Sequence, residues 1–179
     1  MSGRSFRWDY AVLIGLLVVG ALSLAFYFYE DLGVKKPLEK ALSSDPDVRW
    51  VKISQSQEGL TVEVGLGATQ DLAGTYRRLH DTIKRFLGDS AFQLKAHDNR
   101  DQYLESVYFD VHYYLEEAAA RGNFGEMIER CKSVLDRKGL DSYKVTVDHE
   151  RIYVQLFRGG NYLYQVIERL ETAKGGTGE

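Results

Sequence analysis

The sequence is short of cysteine, of surplus basic charge and of recognisable catalytic spacings, and each shortage removes a class of function. Cys131 is the only cysteine in 179 residues. No disulfide can form within the chain, and no double-cysteine zinc site can be built. Lys and Arg number 23 against 26 Asp and Glu, a formal net charge of −3. Residues 1–30 hold two basic and two acidic side chains, so the remainder has the same balance. Such a chain lacks the basic face that nucleic-acid binding requires, and no nucleic-acid partner is expected.

The four histidines, His80, His97, His112 and His149, fall in no metal-ligand spacing such as HExxH. No G-x-S-x-G elbow and no phosphate loop occurs, and Gly65-Leu66-Gly67 lacks the third glycine of a dinucleotide fingerprint. His97-Asp98 and Asp148-His149 set an acid beside an imidazole, but neighbours along a strand point to opposite faces. A hydrolase built on these pairs is the alternative reading, and it requires folding to converge them in one pocket. The sequence assigns no catalytic residue, no metal and no cofactor.

What the chain does contain is one long apolar run. Residues 10–29 carry no charge. As a helix rising about 1.5 Å per residue they match the roughly 30 Å hydrocarbon core of a bilayer. Trp8 and Tyr10 at one end, and Tyr27 and Tyr29 at the other, suit the two headgroup regions. The expectation is a short tail over 1–9 and a transmembrane helix over 10–29. It implies a single-pass protein of the cell membrane, the bilayer as a partner, and a following region outside the cytoplasm, since Arg4 and Arg7 flank the run closely.

Beyond the run the periodicity alternates between helix and strand. Leu38 and Leu42 fit a short amphipathic helix stopped near Asp45-Pro46. Residues 48–55 and 60–66 alternate with period two around Gly59, a hairpin signal. Leu72, Tyr76, Leu79 and Ile83 recur on one helical face, and Phe92, Leu94 and Ala96 alternate as a third strand. Leu104, Val107, Val111, Leu115 and Ala118 predict a connecting helix over 98–122 that stops at Gly122. Met127, Cys131 and Leu135 predict another helix, followed by a hairpin through Val145 and Val154. Asn161 is read as the cap of a last helix carrying Leu163, Val166, Ile167 and Leu170.

The predicted fold class is therefore α+β. An αββαβ unit spans 30–97 and a second αββα unit spans 123–174, with helices packed on small antiparallel or mixed sheets and a frayed tail over 175–179. The repeated order of helix, hairpin and helix suggests an internal duplication.

Leu42, Ile53, Gly59, Leu60, Val62 and Val64 follow a pattern of a helix with Leu near its end, then a hairpin with Gly at its turn. With the helix and strand that follow, the segment resembles the BON domain. Tyr76, Arg77 and Arg78 stand where that family's second helix has small residues. The element order is also similar to the ring-building module of membrane-anchored secretion and sporulation ring proteins. Both resemblances imply a non-enzymatic module that binds another protein, a copy of itself or a membrane surface.

Twelve tyrosines are the compositional excess. Tyrosine suits interfaces because it covers a large area and keeps a polar tip. Tyr103, Tyr113, Tyr114, Tyr153, Tyr162 and Tyr164 are the candidate interaction surface of a scaffold protein that docks a protein partner or forms a homo-oligomer.

Overall fold

The computed structural model describes residues 12–20, 35–56 and 59–170. Helix α1 (Lys36–Ser43) leads into a hairpin of β1 (Val48–Ser56) and β2 (Gly59–Leu66). Helix α2 (Leu72–Leu87) then returns the chain to β3 (Phe92–His97). Helices α3 (Gln102–Arg121) and α4 (Phe124–Leu135) follow, and then β4 (Ser142–Val147), β5 (Arg151–Arg158) and β6 (Asn161–Glu168).

The expected membrane-spanning helix is corrected. Among the described residues no helix is long and apolar enough to cross a membrane. Of the expected span, residues 12–20 are helical and exposed, and the rest lies outside the described residues. The single-pass membrane location loses its support with it.

The first sheet has the order β1-β2-β3, with β1 and β2 antiparallel and β2 and β3 parallel. Parallel strands need a crossover, and α2 is that crossover. Asp71 caps α2 by accepting from the Gly74 N–H at 3.3 Å. Its buried stripe of Leu72, Tyr76, Leu79 and Ile83 covers Leu60, Val62, Val64 and Leu66 of β2. Leu38 and Leu42, one helical turn apart on α1, complete this core.

The second sheet, β4-β5-β6, is antiparallel throughout. The last helix expected from Asn161 is instead strand β6, so the second unit is not αββα. Gly159 and Gly160 join β5 to β6 with φ of 56° and 84°. Two successive positive φ values define the two-residue hairpin turn whose twist matches that of strands, and glycine meets that demand without strain. The two sheets thus differ in topology, and the expected duplication is corrected with the helix.

Both faces of the second sheet are covered. Ile152, Val154, Leu156, Leu163 and Ile167 pack on Leu104, Val107, Val111 and Leu115 of α3 and on Met127, Cys131 and Leu135 of α4. Tyr153, Tyr162 and Tyr164, on the opposite face, belong to the core of the first sheet. The shared wall welds the two halves together.

Candidate functional site

β3 and β6 are edge strands of different sheets, and they meet at one end only. The meeting point is built by residues 98–101. The Tyr162 N–H donates to the Asn99 carbonyl at 3.2 Å, an isolated antiparallel bridge. One residue pair further on, side chains replace the backbone. The Tyr164 N–H donates to Asp98 Oδ2 at 2.7 Å, and Arg100 Nη2 donates to the Tyr164 carbonyl at 3.1 Å. Arg100 also grips Asp98 through Nε at 2.9 Å and Nη2 at 2.8 Å, and this contact holds its pKa above the ordinary arginine value. Asp98 is almost fully buried, which such pairing makes tolerable. Asn161 joins from β6, donating to Asp101 Oδ2 at 3.0 Å, while Asp101 Oδ1 caps α3 through the Leu104 N–H at 2.8 Å.

A carboxylate and a guanidinium thus stand where one more strand residue would pair, and from there β3 and β6 diverge. The space between them is a cleft of about 1020 Å³. Phe92 to His97 form one wall and Tyr164, Gln165, Val166 and Glu168 the other. Tyr76 and His80 of α2 lie between them, with Arg151 of β5. The Tyr76 hydroxyl donates to the Leu94 carbonyl at 3.3 Å, and burial pushes its pKa up. The Arg151 guanidinium sits 5.4 Å from the Tyr76 ring centre and 2.6 Å from Glu150 Oε2, and its Nε is buried without a partner. Burial works against the Arg151 charge, but the oxygens of Tyr153, Tyr76 and Glu150 hold its pKa above the ordinary value.

The register fixes which backbone groups face the cleft. The Leu60 N–H donates to the Ala91 carbonyl, and the parallel pairing continues from Leu60↔Phe92 to Gly65↔His97. Alternation along β3 then turns the N–H and C=O of Phe92, Leu94 and Ala96 away from β2. On β6 the two-residue turn makes Arg158↔Asn161 a hydrogen-bonded pair, so Tyr162, Tyr164, Val166 and Glu168 direct theirs away from β5. The first two meet the Asn99 and Asp98–Arg100 contacts. Val166 and Glu168 open onto the cleft.

The six candidate tyrosines do not form one surface. Tyr153, Tyr162 and Tyr164 are buried between the two halves. The Tyr162 hydroxyl donates to the Leu66 carbonyl at 3.0 Å, and that of Tyr164 donates to Gly67 at 3.0 Å while accepting from the Thr69 N–H at 2.7 Å. The Tyr153 hydroxyl donates to Asp148 Oδ2 at 2.8 Å. Tyr103 is half-buried, donating to the Lys138 carbonyl, with the Arg158 guanidinium 4.0 Å from its ring centre. Tyr114 lies half-buried with Arg130 over its ring. Only Tyr113 is open, 68% exposed beside Phe109 at 62% on α3.

The acid–histidine pairs are also dispersed. His97 lies 3.2 Å from Glu63 on the outer face of the first sheet, against Trp50, while His149 is exposed in the β4–β5 turn. Among the described residues no three His, Cys, Asp or Glu side chains group as metal ligands.

The cleft roles of Asp98, Arg100, Arg151, Val166 and Glu168 are absent from the sequence reading, which pairs Asp98 with His97 and sets Val166 on a helix. The available signal was Gly159-Gly160 between two β-rich runs, which identifies β6 as a strand and hence an edge. No protein-family model matches the chain, and no curated protein matches it significantly in sequence. The resemblance to αββαβ modules therefore stands on element order alone.

Proposed function

We propose that the protein is a non-catalytic interaction module whose α+β region binds a protein partner in the cleft between β3 and β6. The observation that carries this reading is that the cleft is held open by a dedicated clasp. Asp98 and Arg100 satisfy Tyr164 on both sides, so the sheets join firmly at one end while the edges beyond stay apart. Several ionisable groups nearby are engaged in holding the walls, Asp98 with Arg100, Arg151 with Glu150 and His97 with Glu63. At about 1020 Å³ the space lies at the upper limit for pockets that enclose drug-sized molecules, which suits part of a polypeptide.

The test is photo-crosslinking in cells that make the protein. A photoreactive residue at Gln93 or Lys95, both lining the cleft, is expected to yield discrete adducts with a second polypeptide. The same residue at Lys132, exposed on α4, is expected to yield none. Adducts that are equal at all three positions, or absent from the cleft positions, overturn the reading.

A further inference from the structure

Resting on that reading, the geometry points to strand insertion as the mode of binding: an extended segment of the partner enters between β3 and β6 and joins the two three-stranded sheets into one. Three features of the cleft call for such an occupant. The backbone groups of Phe92, Leu94 and Ala96 on one wall, and of Val166 and Glu168 on the other, face the gap at the two-residue repeat of a strand ladder. Among the described residues the one partner that meets any of these groups is the Tyr76 hydroxyl, at the Leu94 carbonyl. Unpaired edges of this kind are templates for another strand, and many folds block them with charge, proline or a covering element. Here two such edges confront each other.

The antiparallel bridge between Asn99 and Tyr162 shows that the two edges run in opposite directions. An inserted segment is therefore parallel to one and antiparallel to the other whichever way it enters. From Phe92 to Ala96 the edge is about 13 Å long, enough for four or five residues of an extended chain. Tyr76, Leu94 and Val166 line one side of the path, so the segment is expected to alternate apolar and polar residues, its apolar side chains on that surface. The clasp at Asp98 closes the narrow end and sets the register.

The probe is a phage-displayed library of random linear peptides, from which the tightest binder to the full-length chain is synthesised. Its binding is expected to slow amide exchange at Phe92, Ala96, Val166 and Glu168. A copy of the peptide N-methylated at alternate residues cannot donate to one of the two walls, and is expected to bind at least tenfold more weakly. The Ala96→Pro variant removes an outward N–H from an edge strand, where proline is sterically tolerated, and should weaken binding by a similar factor. The methylated peptide tests the same ladder from the peptide's side, on unaltered protein, if that variant fails to fold. Equal binding of plain and methylated peptide, with adducts still formed at Gln93 and Lys95, overturns strand insertion but leaves the cleft as a partner site. Protection of these amides without peptide, in a dimer that Ala96→Pro dissolves, overturns it in favour of a second copy of the chain. Loss of the adducts as well removes the parent reading.

Discussion

At the scale of single residues, the polar tips of buried side chains decide how the halves hold together. Gln155 is buried on β5, and its amide receives the Leu72 N–H at 3.2 Å and donates to the Thr69 carbonyl at 2.9 Å. Gln155→Leu orphans both backbone groups, and chemical denaturation should show a loss of at least about 2 kcal/mol. Tyr164→Phe leaves the Thr69 N–H without its acceptor and should cost about 1–3 kcal/mol by the same measurement. The pKa of Tyr164 is pushed up to about 12, by burial first, and that of Tyr153 also to about 12, by burial and then by its hydrogen bond to Asp148. A folded-state pKa above the unfolded value of 10 means that the native state holds these protons more tightly. Their contribution is complete below pH 10 and is lost as pH rises through 12. Stability followed by denaturation at pH 9, 10.5 and 11.5 should fall across that window, and less steeply in a Tyr153→Phe, Tyr164→Phe double variant.

At the scale of elements, packing explains both what the pattern of residues revealed and what it concealed. The first sheet has one exposed face, so β1, β2 and β3 alternate cleanly and are legible from Leu60, Val62 and Val64 outwards. The second sheet is covered on both sides, and alternation is lost. In β6 the run from Tyr162 to Ile167 is nearly all apolar, and Leu163, Val166 and Ile167 mimic a helical stripe. Only the glycine pair before it disclosed the turn. The tyrosines were legible as interface residues but not as internal ones, because composition cannot tell which surface meets them. On the outer face of the first sheet, Trp50 lies across the strand from Gly65, and a Cβ added there would come within 2.0 Å of the indole nitrogen. Gly65→Val should evict the ring, seen as a red-shifted emission of Trp50 in a Trp8→Phe background. Inside α4, Cys131 is buried among the core residues and burial pushes its thiol up to about 11. Alkylation by iodoacetamide should proceed only through unfolding, so its rate in native buffer should be far below that in urea.

At the scale of the whole molecule, the shared wall predicts one cooperative transition rather than two. The Tyr153, Tyr162 and Tyr164 side chains belong to the core of the first sheet although their strands are in the second. Trp50 fluorescence reports the first half and far-ultraviolet dichroism reports both, so their urea curves should coincide. The clasp is the other long-range tie. Asp98→Ala strips Arg100 of a nearly buried partner and Tyr164 of an acceptor. It should cost about 3 kcal/mol and hasten exchange of the Tyr164 amide, measured by NMR. Strand β5 sits at the centre of this construction with neighbours above, below and on both edges. A side chain there that changes size disturbs one hydrophobic layer or the other, whichever way it points. Saturation mutagenesis scored by folding should therefore find the buried run from Arg151 to Leu156 the least permissive stretch of the chain, a silent keel on which the freer outer surfaces are able to diversify.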